Sequence, residues 1–206
     1  MELTEQRIKD NKEQFIALMS SVDAENMDSL LAHLSVSGFF IAPCSTSHHL
    51  ACWGGLCEHS LNVYRIMMNV CNSLWGIEET NNQRESIILT ALLHDVGKMG
   101  DHAKANYTPN MVKSRKKNPE TGDYDLIQSE SRPYESNKEL SYIDHAIRSV
   151  IIAERYISLT EEEEHAILYH NGKYTHIGYD LKETPLQMVL HFADMWSSRV
   201  TEVEPE

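Results

Sequence analysis

Residues 84–98 read RESIILTALLHDVGK. Between Ser86 and Leu93 the run is almost wholly apolar, which predicts a helix buried on most of its sides. It ends in His94 and Asp95, followed by Gly97 and Lys98. A helix end this apolar does not carry two bare polar groups into a core unless something satisfies them. Successive helical residues lie about 100° apart, so His94 and Asp95 reach one ion only if it sits beside the helix end. Lys98 is four residues beyond His94 and three beyond Asp95, close enough to lie over the same spot.

Outward from this stretch the helical period continues on both sides. Residues 3–19 place Leu3, Ile8, Phe15, Leu18 and Met19 at loosely helical spacing, and 27–34 form a short second helix. A loop marked by Gly, Pro and Ser runs from about 37 to 55. From Glu58 to Trp75, the residues Leu61, Tyr64, Met68, Cys71 and Trp75 share one face, and Gly76 ends the helix. Helices resume at about 141–157. Thr160 and Glu163 make a capping box for a helix reaching about His170. Pro185 suits the first turn of a last helix, PLQMVLHFADMWSSRV. Residues 101–140 differ: they are polar, contain Pro109, Pro119 and Pro133, and hold turn chemistry in NPETGDYDL, with room for a small hairpin. The expected fold is all-α, six or seven helices with little strand. Residues 1–36 read as an N-terminal helical appendage and 37–200 as the main domain. Within it, 101–140 is a long irregular insertion of the flexible, lid-like kind, and 201–206 is a frayed tail.

Composition sets outer bounds. The chain has 206 residues, 41% hydrophobic and 24% charged, which is ordinary for a globular domain with a real core. No apolar run is long enough for a membrane span, and the charged start MELTEQRIKDNKEQF has no apolar core of a secretory signal. The expectation is therefore a cytoplasmic protein with no membrane partner. Lys and Arg number 18 against 31 Asp and Glu, a net charge of −13. That balance argues against long duplex nucleic acid, which is held by clustered cations. A small anionic substrate remains compatible if a metal or a local basic group neutralises it. Cys44, Cys52, Cys57 and Cys71 read as buried reduced thiols, since C-x4-C-x-H over 52–59 matches no common zinc pattern.

The 11 histidines carry the chemistry. His59 opens a helix just after Gly54-Gly55, His145 starts another after Asp144, and His170 ends a third. Asp194 lies inside LHFADMW, where a lone carboxylate is costly to bury. Each histidine alone is more often a hydrogen-bonded core or surface residue; the joint set is not. Imidazole and carboxylate without thiolate suit Mn, Fe, Ni, Co, Mg or catalytic Zn. His33, His102, His165 and His176 read as ordinary surface residues. His191 fits packing or a supporting role equally, and His48 and His49 can point into the same pocket.

The order His59, His94-Asp95, Asp194 resembles the HD superfamily of metal-dependent phosphohydrolases, carried by GGLCEHSLNVY (54–64) and ALLHDVGK (91–98). His145 and His170 resemble the extra histidines of members that bind a second metal. The pattern is also similar to the HD half of bacterial 3′–5′ exoribonucleases that join an OB-fold to an HD domain, although no OB-fold is present here and Asp144 stands where related sequences often have Gly. The resemblance implies a helical HD bundle holding two divalent ions. His59, His94, Asp95 and Asp194 would hold the first ion, and Asp95 would bridge to a second held by His145 and His170. Asp95 and Lys98 would be catalytic. His49, Lys98, Arg132 and Arg148 would bind substrate, with Tyr107, Tyr124 or Tyr134 available to stack on a base. It implies hydrolysis of a phosphoester in a nucleotide or short phosphodiester, with oligomers possible. Two other readings share the ligand set: a di-iron oxygenase acting on a small polar substrate, and a non-catalytic module stabilised by its metal.

Overall fold

The computed structural model describes residues 2–172 and 182–203. His176, read above as a surface residue, lies outside them. Among the described residues there are eight α-helices: α1 (Glu5–Met19), α2 (Met27–Val36), α3 (Gly55–Leu74), α4 (Ile77–Asn82), α5 (Arg84–Leu93), α6 (His145–Glu154), α7 (Glu161–Leu168) and α8 (Pro185–Trp196). A π-turn, Ser197–Thr201, continues α8. No helix among the described residues is long and apolar enough to cross a membrane.

The helix ends follow local chemistry. Thr160 accepts from the Glu163 backbone while the Glu163 side chain accepts from the Thr160 backbone, closing the expected capping box. Thr184 caps α8 and Pro185 occupies its first position. Helix α3 starts at Gly55, three residues before the expected Glu58. A Cβ on Gly55 would lie 2.1 Å from the Leu50 carbonyl, so only glycine lets the loop fold this tightly against the helix. Helix α5 stops at Leu93, and Val96–Met99 turns as a 3-10 helix, so Asp95 leaves the helical line that a continuous 84–96 helix would have followed.

Helix α3 is the spine. Its buried side chains Leu56 and Leu61 join a core formed with Phe15 and Met19 of α1, Leu30 and Leu34 of α2, and Ile88 and Leu92 of α5. Its second half packs Val63, Met67 and Cys71 against Ile87 and Ala91 of α5 and Leu186, Leu190 and Ala193 of α8. Residues of α1 and α2 are thus part of the same core as the central helices. All four cysteines are buried and free.

The all-α expectation needs correction between 100 and 136. That stretch forms six short strands in three antiparallel pairs: β1 (Gly100–Asp101) with β2 (Lys104–Ala105), β3 (Tyr107–Pro109) with β6 (Tyr134–Ser136), and β4 (Met111–Lys117) with β5 (Tyr124–Gln128). The β3–β6 pair leads directly into the β4–β5 pair, where Met111 faces Gln128. The segment is a paired ribbon, not an irregular loop. It was hard to see because β4 and β5 are exposed almost throughout, so neither has a buried face to impose an apolar alternation. The Tyr134 N–H donates to the Thr46 carbonyl at 3.1 Å, tying the ribbon's base to the loop before α3. Helix α4 was also missed. It is six residues long and leaves its one apolar residue, Ile77, 71% exposed.

Candidate metal centre

Five helices and the turn after α5 bring the predicted donors to one place. His59 is the fifth residue of α3, His94 caps the C-terminus of α5, and Asp95 precedes the 3-10 turn. His145 is the first residue of α6, where the Asp144 side chain accepts from the Ala146 N–H. The acidic residue before His145 is therefore the N-cap of its helix. His170 follows α7, and Asp194 projects from α8.

Asp95 is the hub, with no measurable exposure. Its Oδ2 lies 3.5 Å from His59 Nε2 and 3.4 Å from His94 Nε2. Its Oδ1 lies 3.4 Å from His145 Nε2 and 3.7 Å from His170 Nε2. The two oxygens of one carboxylate thus face two separate pairs of imidazoles. Asp194 Oδ1 sits 3.1 Å from His59 Nε2. Donor atoms of His59, His94 and Asp95 lie within 4.8 Å of one another, as do those of Asp95, His145 and His170, and those of His94, His170 and Asp194.

The ring orientations say which nitrogen is available. His94 Nδ1 contacts the Ala91 carbonyl at 2.9 Å and His170 Nδ1 the Ile167 carbonyl at 2.7 Å. A carbonyl can only accept, so both Nδ1 atoms carry hydrogen and both Nε2 atoms point into the cluster. His59 Nδ1 faces Glu202. Meanwhile His94 Nε2 and Asp95 Oδ1 are buried without a hydrogen-bond partner, and His59 Nε2 meets only the carboxylates of Asp194 and Asp95. Native interiors seldom leave such atoms unmet, and here they converge. The donor set fits a divalent cation: imidazole nitrogens whose rings are held through their other nitrogen, with carboxylate oxygens between them.

The electrostatics agree. Burial opposes ionisation of Asp95, but Lys98 and His94 hold its carboxyl well below the usual range. Lys98 Nζ donates to Asp95 Oδ2 at 2.6 Å, and that partner keeps the lysine charged in spite of its own burial. Burial pushes His170 down to about 3, so its ring is neutral at neutral pH. His49 is pushed by burial to about 4, beside the His59 ring at 5.1 Å between centroids. Its Nε2 lies 3.4 Å from the Cys44 sulfur, a thiol that burial raises to about 12.

The remaining predicted residues separate. Arg148 is 3% exposed, and its guanidinium is given to the Ser141 carbonyl at 2.8 Å and the Asn106 side chain at 3.3 Å. It ties the ribbon's entry to α6. Arg132 is exposed in the connection between β5 and β6. His191 Nδ1 donates to the His170 carbonyl at 2.6 Å, a packing role beside a ligand candidate. Three partners went unread in the sequence. Asn171 donates to His145 Nε2 at 3.3 Å and His170 Nε2 at 3.1 Å, and an Asn before a Gly carries the ordinary signature of a turn. Glu58 is clamped by Arg7 and Asn11 of α1. Glu202 sits in an acidic tail whose glutamates look alike in sequence, so nothing local marked it.

An open cleft of about 880 Å³ runs beside the cluster, lined by His48, His49, Glu130, Arg199 and Glu202 among others. The family model described as HD domain matches residues 56–197, more than half of the chain, and spans every donor named above from His59 to Asp194. No curated protein and no solved structure matches the sequence.

Proposed function

The chain belongs to the HD domain family, and on that premise we propose that it is a metal-dependent phosphohydrolase that cleaves a phosphoester bond in a nucleotide or short phosphodiester. HD domains are mostly metal-dependent hydrolases, and the buried His and Asp groups here are of a kind that can hold metal. The observation that carries the reading is the division of Asp95, one oxygen toward His59 and His94 and the other toward His145 and His170. A carboxylate so placed could serve two ions, one from each oxygen. In this reading His59, His94, Asp95 and Asp194 hold one ion, and Asp95, His145 and His170 hold the other. Two bound divalent ions would supply positive charge to a phosphoryl oxygen and make a nearby water acidic enough to attack.

The chain's own groups do the rest. Asp95 is kept ionised by Lys98, so the bridge holds at neutral pH. The Lys98 ammonium has three N–H bonds, of which one is directed at Asp95. The others can meet a phosphate oxygen as charge builds in the transition state. His49, a neutral imidazole at the cleft wall, offers a hydrogen bond to the substrate, and Arg199 offers a cation at the cleft's outer end. Arg132 lies in the same connection as the cleft residue Glu130 and can approach an anionic ligand from the ribbon side. The cleft volume of about 880 Å³ lies within the span of small-molecule sites.

Elemental analysis of the untagged protein tests this, with Asp95→Ala as control and a panel of nucleotides and generic phosphodiesters as substrates. The expected result is about two metal equivalents, lost in the variant. Hydrolysis by the variant falls by more than about 100-fold, because removing a bridging ligand exceeds the loss usual for an outer partner. A metal-loaded protein that hydrolyses no panel member overturns the proposal, and iron-dependent O₂ uptake in its place assigns the oxygenase chemistry.

A further inference from the structure

The three inward-facing histidines with a held Nδ1 are not held alike. His94 and His170 rest on backbone carbonyls, which are neutral acceptors. His59 rests on a carboxylate: both oxygens of Glu202 lie 3.0 Å from its Nδ1. Glu202 is 6% exposed and is itself pinned, since Asn62 Nδ2 and Ser197 Oγ donate to its Oε1 at 2.9 and 2.7 Å. Its backbone placement is unusual too. The Glu202 N–H donates to the Ser197 carbonyl five residues back, at 3.0 Å, which is the closure of the π-turn 197–201. In an α-helical register the same side chain would be turned by about 100° from its present direction. Single π-turns inside helices recur at functional sites. Glu202 also lies beyond the family match, which ends at residue 197.

We propose that Glu202 is a positioning residue that acts through His59, and that the π-turn after α8 exists to set it there. A carboxylate behind a ligating imidazole fixes the ring's tautomer and raises its basicity as a donor. Of the two ion positions, the one that includes His59 is therefore the tighter, and Glu202 sets the difference. This rests on reading the His59 and Asp95 groups as metal sites.

The test is a Mn²⁺ titration of the metal-free full chain, with free Mn²⁺ followed by electron paramagnetic resonance. Wild type is expected to show a tight and a weak class. Glu202→Gln keeps the size and one acceptor oxygen but removes the charge. It is expected to weaken the tight class by about 10–100-fold and leave the weak class and the far-ultraviolet circular dichroism unchanged. Ser197→Ala, which loosens Glu202 without removing it, is expected to fall between the two, and it decides the matter should Glu202→Gln fail to fold. Equal affinities in wild type and both variants overturn the proposal, as does a uniform weakening of both classes, which a merely structural glutamate would give. A wild-type chain that binds no Mn²⁺ overturns the metal reading itself and this proposal with it.

Discussion

At the scale of single residues, two contacts govern the centre without belonging to it. A Cβ on Gly97 would lie 2.2 Å from the His145 carbonyl, and the Gly97 N–H donates to Ser149 Oγ at 2.9 Å. Glycine here lets the turn after α5 press against α6, and that contact brings Asp95 up to His145. Gly97→Ala is expected to push the two apart. Overpacking of this kind costs about 1–3 kcal/mol, a fall of about 3–9 °C in Tm for a chain of this size, and elemental analysis should show a lower metal content than wild type. The second contact is Arg7 on Glu58, two hydrogen bonds of 2.7 Å that fasten α1 to the start of α3. The Arg7 side chain is 45% exposed, so solvent screens the pair. Arg7→Met is expected to lower stability by about 1–2 kcal/mol, well under the loss for a fully buried pair. Urea unfolding checks it, and Arg7→Met with Glu58→Gln should recover part of the loss. His59, His94, Asp95, His145, His170 and Asp194 were legible in the sequence because polar residues inside apolar helices demand an explanation. Glu58 and Glu202 were not, since a buried glutamate looks like a solvated one until its partner 51 or 143 residues away arrives.

At the scale of elements, helices whose apolar faces are buried announced themselves, and elements without such faces did not. Helix α5 is buried from Ile87 to Leu93 and was found from its composition alone, whereas α4 was missed and the strands of 100–136 were anticipated only as a small hairpin at NPETGDYDL. Every residue of β4 and β5 is exposed except Ser114, which is partly so. The hairpin therefore contributes little to the core. The Ser129 N–H donates to the Asn110 carbonyl at 2.9 Å, so the chain can be closed there. Replacing 111–128 by an Asn-Gly turn is expected to shift Tm by less than about 2 °C, since exposed residues seldom move stability by more than about 0.5 kcal/mol. Metal content should be unchanged. Loss of metal from the shortened chain would show that the ribbon shapes the centre, contrary to its exposure.

At the scale of the whole molecule, contacts between distant parts of the chain hold the elements together, and one of them carries a pH dependence. Arg155, just after α6, donates to both oxygens of Asp101 at 2.9 and 2.7 Å, and that pairing lowers the Asp101 carboxyl to about 2 against the opposition of burial. A carboxyl held below its unfolded value, about 3.9, adds stability that is fully present above about pH 4 and is lost as pH falls toward 2. The Tm gap between wild type and Asp101→Asn is therefore expected to be open at pH 6 and closed near pH 2; a gap constant across that range would refute the assignment. The sequence by itself determined the helices that bury apolar faces, their caps at Thr160 and Pro185, and the list of candidate donors, because burial periodicity and the penalty on unpartnered polar groups act locally along the chain. Only the tertiary structure decided that Asp95 divides its oxygens between two imidazole pairs, that Arg148 is spent on Ser141 and Asn106, and that Glu202 stands behind His59. Those are facts of long-range packing, where residues meet partners that no local pattern encodes.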